Sequence, residues 1–223
     1  MEIKRYSCFE GAGKAQGVTL IIDVFRAGNT ILSCFKQGAQ YVIPVGNLER
    51  AYKLKKQNPD YLLAGERNSM PPEGFDFGNS PAEITTKDLS GQTVILTTSA
   101  GTQGIVYAGN PSKLLIATFA NAKAIVQYIK KIDPQFVSIV AMGLEAREKA
   151  EEDEVCAFYI ELKLQGIALN FPVIKEKLLE GKGAQRLIGI GKDDDLQYCL
   201  QQDTIDIVPE YDFEKGALYA ITL

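Results

Sequence analysis

The sequence predicts an α/β fold, a three-layer α/β/α sandwich built on a mainly parallel, mixed sheet. Short apolar runs rich in β-branched residues alternate with segments of helical period, which is the pattern of βαβ units. No linker, low-complexity stretch or repeat interrupts the 223 residues, so we predict a single domain over 1–223. With 46% hydrophobic and 23% charged residues, the composition is ordinary for a globular protein with a sizeable core.

The apolar runs define the strands and the periodic segments define the helices. A buried strand is predicted at 18–25, where the chain reads VTLIIDVF, and a helical segment follows it. In chain order the predicted strands are 18–25, 41–46, 61–66, 93–99, 113–119, 136–143 and 217–223, the last as an edge strand. The predicted helices are 30–39, 48–58, 80–86, 102–108, 121–132, 152–165 and 193–202.

A long irregular loop separates the third predicted strand from the short helix at 80–86. Ser80 is predicted to cap that helix, with Pro81 at its first position and Glu83 as the returning acid of a capping box. A loop of about 15 residues without secondary structure is usually functional in a compact domain, and its two prolines stiffen it. We therefore predict that the loop forms a wall of the active site, with ligands from Glu66, Arg67, Asn68, Asp76 and Asn79.

Charge and residue content exclude several functional classes. The formal net charge of −4 offers no basic surface for nucleic acid. The chain has no histidine, which excludes Ser-His-Asp and Cys-His nucleophile pairs, phosphohistidine chemistry and His-based zinc sites. Hydrolytic chemistry would therefore rely on carboxylates together with a hard, oxygen-preferring metal such as Mg²⁺.

Two known phosphatase patterns also fail. A protein-tyrosine-phosphatase loop needs an arginine six positions after its cysteine, and the four cysteines are followed there by Lys14, Gln40, Leu162 and Ile205. A haloacid-dehalogenase-type phosphatase needs a second acid two residues after the first strand's aspartate, where this chain has Phe25.

The cysteines and the apolar segments predict a cytoplasmic protein. The four cysteines are scattered without a CxxC pair, and they are predicted to be reduced thiols: Cys8, Cys34, Cys156 and Cys199. The N-terminal stretch lacks the apolar region of a signal peptide. No apolar run approaches the ~20 residues needed to cross a bilayer, so no membrane partner is expected.

Polar side chains collect at the ends of three predicted strands. In open α/β sheets, ligands bind beyond the carboxyl ends of the strands, where loops lead into helix N-termini. A sheet fold alone does not require acids, arginines and hydroxyls at three separate strand ends. These side chains are Asp23 and Arg26 after the first strand, Glu66 and Arg67 after the third, and Thr97, Thr98 and Ser99 at the fourth.

The first strand end has two interpretations. Asp23 could handle a metal or a proton while Arg26 grips an anion near a helix that begins at Asn29 or Thr30. Alternatively, Asp23 caps the loop and Arg26 pairs with it at the surface. The functional interpretation is favoured because the strand around Asp23 is apolar, and a carboxylate in such surroundings is costly unless it has a specific role.

The two glycine-rich segments indicate a function less specifically than the strand ends do. Gly101, together with the hydroxyls of Thr98 and Ser99, could cradle an anion, or the segment at 96–104 could be an ordinary βα turn with a hydroxyl N-cap. Both interpretations stay open. The stretch EGAGKAQG at 10–17 is predicted to be a plain loop.

Two acidic runs begin predicted helices. At 151–164 the four leading acids would complement the helix dipole, or Glu152 and Asp153 would be metal ligands facing the strand ends. Cys156 is predicted to be a small buried hydrophobe. The acids at 192–203 are predicted to form a solvated helix start.

Five blocks taken together resemble the 2-phosphosulfolactate phosphatase family. They occur in order at 23–31 (DVFRAGNTI), 64–81 (AGERNSMPPEGFDFGNSP), 97–102 (TTSAGT), 152–157 (EDEVCA) and 186–209 (RLIGIG, DLQYCLQQD and VP). The second block is the most specific, and the match spans most of the chain. The resemblance implies an α/β/α sandwich of the family's own topology.

The resemblance also implies an activity and a site. The expected enzyme is a cytoplasmic, Mg²⁺-dependent phosphoric monoester hydrolase that converts 2-phospho-3-sulfolactate to 3-sulfolactate and phosphate, as in coenzyme M biosynthesis. Its partner would be a small anionic phosphorylated substrate, and a homodimer is left open. The residues that match the family's motifs are Asp23, Arg26, Glu66, Arg67, Asn68, Asn79, Gly101, Glu152 and Asp153.

From these residues and the strand-end hydroxyls we assign roles. The predicted catalytic residues are Asp23, Glu66 and Asp153, and the predicted Mg²⁺ ligands are Asp23, Glu66, Glu152 and Asp153. The predicted substrate-binding residues are Arg26, Arg67, Asn68, Asn79, Thr98, Ser99 and Gly101.

The chain departs from the family's pattern at three positions. Gly28 and Asn29 stand where small hydroxyl residues are expected, and Ala100 stands where an asparagine is expected. The alternative functions are therefore a phosphatase of the same mechanism that acts on another phosphorylated hydroxy acid, and a non-catalytic anion-binding protein on the same fold.

Overall fold

The computed structural model describes residues 1–223 and contains nine strands and ten helices. The strands are β1 (Glu2–Ser7), β2 (Gln16–Ile22), β3 (Tyr41–Pro44), β4 (Leu62–Gly65), β5 (Thr93–Thr97), β6 (Asn110–Ala117), β7 (Phe136–Ala141), β8 (Ile207–Asp212) and β9 (Ala217–Thr222). The helices are α1 (Cys8–Lys14), α2 (Ala27–Lys36), α3 (Leu48–Gln57), α4 (Pro81–Ile84), α5 (Gly101–Val106), α6 (Ala122–Ile132), α7 (Glu151–Leu164), α8 (Phe171–Glu180), α9 (Lys182–Gly189) and α10 (Asp193–Cys199).

All nine strands form one mixed sheet in the order β1-β7-β2-β6-β8-β9-β3-β5-β4. Strands β1, β7, β2 and β6 are parallel to one another, and β3, β5 and β4 form a second parallel group. The antiparallel hairpin β8–β9 joins the two groups. Each junction is narrow, because one bridged pair connects β6 to β8 (Leu115 and Glu210) and one connects β3 to β9 (Val42 and Leu218).

Helices cover both faces of the sheet. In β2, Leu20 and Ile22 belong to the core beneath α6–α10, whereas Ile21 points to the opposite core with α1, α2 and α5. This alternation follows from the two-residue period of a strand. A smaller cluster packs α3 against the outer side of β4 and β5 through Leu63 and Ile95. The layered α/β architecture predicted from the sequence is thus confirmed.

The twist of the sheet decides where the strand ends meet. Three antiparallel pairings separate β6 from β3, so in a flat sheet the two parallel groups would end at opposite edges. Neighbouring strands rotate by roughly 20–25°, which accumulates to about 100–125° over the five steps from β2 to β5. The shared helices α2 and α5 contact strands of both groups. The ends of β2, β4 and β5 therefore face a common pocket.

Several sequence-based assignments need correction. The segment at 10–17 is not a plain loop, because most of it belongs to α1, where Gly11 lets the helix pack against Tyr6. The strand at 217–223 is not an edge strand, since β9 lies between β8 and β3. The sequence patterns also missed β1, β8, α8 and α9.

The remaining expectations on helix caps, thiols and membrane segments can be compared directly. The Ser80 hydroxyl accepts a hydrogen bond from the Glu83 N–H at 3.3 Å, as predicted, whereas the Glu83 carboxylate accepts from Gly78 rather than returning to Ser80. All four cysteines are unpaired. No helix has both the length and the apolar character that a membrane crossing requires.

Candidate active site

One small pocket, of about 80 Å³, collects most of the polar side chains predicted from the strand ends. It lies where β2, β4, β5 and β7 end, beside α7 and α9. The predicted site residues in its lining are Asp23, Arg26, Glu66, Asn68, Asn79, Thr98, Ser99, Glu152 and Asp153.

Two aspartates connect the ends of neighbouring strands. Asp153, in the first turn of α7, accepts hydrogen bonds from the N–H groups of Val24 at 2.7 Å and Gly143 at 2.8 Å, so it links the segments after β2 and β7. Asp23 accepts a hydrogen bond from the Ala27 N–H at 3.1 Å, at the start of α2. Both side chains are buried. The carboxylates are therefore held in place by backbone amides.

Burial and mutual repulsion make these acids hard to ionise. Burial is the main cause that raises the pKa of Asp23 to about 6, and the charges of Glu66 and Glu152 add to it. Burial, followed by the charges of Asp23 and Glu152, raises the pKa of Asp153 well above its usual value. Burial likewise raises the pKa of Glu152. Such perturbed acids in a cleft mark a candidate functional site.

Glu66 ties the long loop to the turn after β5. Its Oε1 accepts from the Ser99 N–H at 2.8 Å, and its Oε2 accepts from the Ser69 N–H at 3.0 Å. Asn68 and Ser69 both have positive φ values, 53° and 66°. The loop lines the pocket with three of its predicted ligands, Glu66, Asn68 and Asn79. Asp76 is not among the lining residues, and its carboxylate accepts from the Leu63 N–H at 2.7 Å instead.

Arg26 forms the cationic side of the pocket, and it is buried. Its Nη1 donates to Asp195 Oδ2 at 2.7 Å, and both side chains are almost fully shielded from solvent. Nearby, the Thr30 hydroxyl donates to Asn79 Oδ1 at 2.8 Å, which attaches the end of the loop to α2. The acids at 192–203 are therefore not a uniformly solvated helix start, because Asp195 is buried.

Arg186, in α9, lines the pocket but was absent from the predicted site residues. Its Nη2 lies 3.8 Å from Glu152 Oε1, and its side chain is 33% exposed. Gly183, one turn earlier, leaves the space that the Glu152 carboxylate occupies, since a Cβ there would lie 2.5 Å from Oε2. The only sequence signal for Arg186 was its position at the start of the block at 186–209.

The acids at the start of α7 divide between pocket and surface. Glu152 and Asp153 are buried in the pocket, whereas Glu151 faces outward near Lys177 and Glu154 contacts Ser7. No side chain caps the helix N-terminus at Ala150. The outer acids are placed to complement the helix dipole, and the metal-ligand role of Glu152 and Asp153 stays a prediction.

No group of three or more Asp, Glu or Cys side chains stands close enough together to form a ready ligand set for a metal. The donor chemistry nevertheless fits Mg²⁺, which prefers carboxylate oxygens. Burial, and then the charges of neighbouring carboxylates, raises the pKa of Asp23 and of Asp153, and a cation would offset that repulsion. The carboxylates of the pocket are therefore suitable ligands for Mg²⁺ in their chemical type.

Comparison with known proteins identifies the family. The family model described as 2-phosphosulpholactate phosphatase matches residues 7–214, which includes every pocket residue. The chain belongs to the 2-phosphosulpholactate phosphatase family. It is therefore a phosphoric monoester hydrolase, as the resemblance implied.

Curated relatives agree with this family. The chain is 32% identical over 212 residues to a probable 2-phosphosulfolactate phosphatase of Clostridium novyi, covering 88% of this chain and 89% of the relative. A Thermotoga petrophila protein of the same name is 34% identical over 203 residues, covering 85% and 87%. One from Carboxydothermus hydrogenoformans is 30% identical over 212 residues, covering 89% and 88%.

Two of the residues that match the family's motifs do not line the pocket. Arg67 turns its guanidinium to the backbone, donating to the Glu66 carbonyl at 2.6 Å and to Thr97 Oγ1 at 2.7 Å. Gly101 lies behind the pocket, where a Cβ would come within 2.8 Å of Asp23 Oδ2. Glycine at this position therefore makes room for the aspartate, and the substrate-binding roles of both residues stay predictions.

The departures from the phosphatase family's pattern have local explanations. A Cβ on Gly28 would lie 2.7 Å from Thr118 Cγ2 and 2.8 Å from the Asp23 carbonyl oxygen, so there is no space for a side chain. Asn29 is buried behind the pocket, where it donates to the Val24 carbonyl at 2.9 Å. Ala100 has no side chain that could cap α5, and the Thr98 hydroxyl accepts from the Thr102 N–H at 3.2 Å in its place.

Proposed function

We propose that this protein hydrolyses 2-phospho-3-sulfolactate to 3-sulfolactate and phosphate with the help of Mg²⁺, which is a reaction of coenzyme M biosynthesis. The observation that carries the proposal is the convergence of buried acids and two arginines in one small pocket, within a chain of this phosphatase family. Water supplies the oxygen that replaces the sulfolactate oxygen on phosphorus.

The arginines suit the anionic part of the reaction. Arg26 and Arg186 both line the pocket, and a guanidinium matches the oxygens of a phosphoryl group by paired hydrogen bonds. Arg186 has only a long contact with Glu152, so much of its hydrogen-bonding capacity is available to a ligand. These side chains would orient the phosphoryl group against the carboxylates.

The carboxylates alone would repel a phosphate ester. Glu66, Glu152 and Asp153, together with Asp23, are the residues that would hold Mg²⁺. When bound, the ion supplies positive charge that offsets the phosphoryl oxygens and the acids. Asp23 also lies in the pocket lining, where a carboxylate suits the acceptance of a proton from the attacking water.

A larger cleft adjoins the pocket and bears on substrate choice. Its volume is about 840 Å³, it shares Ser99 and Glu145 with the pocket, and it carries Arg147 and Lys149. These cations match the sulfonate or carboxylate at the non-phosphorylated end of the substrate. Because the cleft exceeds what sulfolactate fills, the second candidate is a phosphatase of the same mechanism that acts on a larger phosphorylated hydroxy acid.

A panel assay tests the proposal. Purified protein, with and without Mg²⁺, is incubated with 2-phospho-3-sulfolactate and with other phosphorylated hydroxy acids, and released phosphate is measured. We expect the fastest Mg²⁺-dependent release from phosphosulfolactate. Faster release from another member would favour the second candidate, and saturable binding without turnover on any member would favour an anion-binding protein.

The cellular setting is also a proposal. Four unpaired thiols suit the reducing conditions of the cytoplasm, where we place the protein. We expect no nucleic acid partner, because the net charge is −4. A homodimer stays open, and sedimentation of the purified protein would decide it.

A further inference from the structure

Asp195 is a buried acid at a helix start that otherwise faces water. It is 1% exposed, whereas its neighbours Asp193 and Asp194 in the first turn of α10 are exposed. Buried carboxylates are costly unless paired and hydrogen-bonded, so this position needs a specific explanation.

Both carboxylate oxygens of Asp195 have partners, and the two sides serve different elements. Oδ2 accepts from Arg26 Nη1 at 2.7 Å. Oδ1 accepts from the Ser80 hydroxyl at 2.7 Å and from the Ala82 N–H at 3.0 Å, at the start of α4. Asp195 therefore connects Arg26 with the end of the active-site loop.

Arg26 depends on this contact for its position. Its guanidinium is buried, lines the pocket and has Asp195 as its one ion-pair partner. A buried charge that loses its partner is strongly unfavourable, so the side chain would turn away or draw in water. The orientation of Arg26 toward the pocket is thus linked to Asp195.

We propose that Asp195 is a positioning residue for anion recognition, which holds Arg26 in the orientation that grips the phosphoryl group of the substrate. The proposal rests on the proposed function in one respect, namely that the pocket binds phosphate. Asp195 itself touches neither substrate nor the reacting atoms.

Replacement of Asp195 by asparagine tests the link. Asparagine keeps the size but removes the charge, and its single acceptor oxygen cannot serve donors on both sides. We expect Asp195→Asn to raise KM for the phosphate ester and Ki for inorganic phosphate by about tenfold or more, with a smaller change in kcat. The matched control Asp194→Asn, at an exposed acid of the same helix turn, should change neither constant.

Ser80→Ala separates the two sides of Asp195. It removes a hydrogen bond on the α4 side while the pair with Arg26 stays intact. We expect a lower melting temperature and a phosphate Ki close to that of the unaltered protein. If Ser80→Ala raises Ki as much as Asp195→Asn does, the acid acts through the loop and the proposal is wrong.

A double-variant cycle tests whether Asp195 acts through Arg26. In an Arg26→Ala background, we expect Asp195→Asn to cause no further rise in Ki, because the group that it positions is already absent. Equal additional rises in both backgrounds, or an unchanged Ki in Asp195→Asn with only a lower melting temperature, would overturn the proposal. If Asp195→Asn does not fold, Asp195→Glu keeps the charge and should give a smaller rise in Ki that again vanishes without Arg26.

Calorimetric titration with inorganic phosphate, in the presence of Mg²⁺, keeps this test independent of turnover. Weaker phosphate binding in Asp195→Asn than in Asp194→Asn supports the positioning role even if no ester of the panel is hydrolysed. Equal binding in the two variants counts against it even if the unaltered protein is an active phosphatase.

Discussion

Two groups of buried acids differ in how their charge is balanced. Glu210, in β8, accepts from Lys113 Nζ at 2.6 Å with one carboxylate oxygen and from the Tyr128 hydroxyl at 2.6 Å with the other. Burial and this hydrogen bond raise the pKa of Tyr128, which keeps the hydroxyl protonated and able to donate. The charge and both carboxylate oxygens of Glu210 thus have partners within the protein.

The acids of the pocket lack such a partner. The charges that raise the pKa values of Asp23 and Asp153, in addition to burial, are those of other carboxylates, and neither aspartate forms an ion pair. Glu152 has only a long contact, 3.8 Å, with Arg186. Arg26 is already neutralised by Asp195. A buried acid with its own cation has its charge balanced within the fold, whereas buried acids that repel each other mark a candidate site for a ligand that supplies the missing charge.

The largest expected contrast is between Asp23→Asn and Glu210→Gln. Asp23→Asn should lower kcat by at least about 100-fold, because it removes the proposed proton acceptor and Mg²⁺ ligand. The protein should stay folded, because the lost charge is a buried one without its own cation. Glu210→Gln should leave kcat nearly unchanged and cost about 1–3 kcal/mol of unfolding free energy, because Lys113 and Tyr128 lose a charged acceptor. Kinetics and denaturant titration of both variants measure the contrast, and equal kcat values would remove the basis of the comparison.

Glu66 and Arg67 should respond differently, with intermediate effects. Glu66→Gln should raise, by about tenfold, the Mg²⁺ concentration that gives the half-maximal rate. This effect is expected if the carboxylate contacts the ion, and also if it only orients the groups that do. Arg67→Lys loses the hydrogen bonds to Glu66 and Thr97. A rise in its KM would place Arg67 in substrate binding, and an unchanged KM with lower stability would make it a scaffold residue. Unchanged Mg²⁺ dependence in Glu66→Gln would contradict the role given to Glu66.

The pH dependence of stability in metal-free protein should be smaller but distinctive. The folded pKa of Asp23 is about 6, above its ordinary value, so its contribution to stability is greatest at low pH and is lost as the pH rises through 6. Between pH 5 and pH 7 this loss amounts to about 1 kcal/mol. Denaturant titrations at both pH values should show a weaker pH dependence in Asp23→Asn than in the unaltered protein, because Glu152 and Asp153 also have raised pKa values and remain in the variant. An identical pH dependence in both would contradict the assignment.

The smallest effect on activity is expected from Cys156→Ser. Burial, and then the charge of Asp153, raises the pKa of this thiol well above its ordinary value, so a thiolate is disfavoured. Phosphate release should stay within about twofold, with a loss of about 1–2 kcal/mol in unfolding free energy from the buried hydroxyl. Cys34→Ser, in the opposite core, is the matched control. Loss of activity in Cys156→Ser alone, with the fold intact, would indicate a thiolate nucleophile.

Local sequence signals predicted the strands that end at the pocket and the helix α7, but they missed α9, which supplies Arg186. They also failed at β1 and α1, whose sequences do not show the pattern of their own structure. The apolar runs at β2, β5 and β7 are long enough to be read as buried strands. The strand β1 is largely exposed and polar, with the sequence EIKRYS, and α1 contains two glycines, so neither shows the pattern of its own secondary structure. Their structure comes from pairing with β7 and packing onto Tyr6.

The sequence by itself determined the class of chemistry. It contains no histidine, and it places acids, arginines and hydroxyls directly after the apolar strands of an α/β fold. Tertiary structure alone decided which charged groups face the pocket. Arg26 and Asp195 are 169 positions apart, so nothing in the local sequence around either residue shows that they pair. Likewise, only the tertiary structure shows that Arg67 donates to the Glu66 carbonyl and the Thr97 hydroxyl, whereas Arg186 lines the pocket. The burial of a charge depends on which distant groups surround it, and the twist of the sheet brings those groups together.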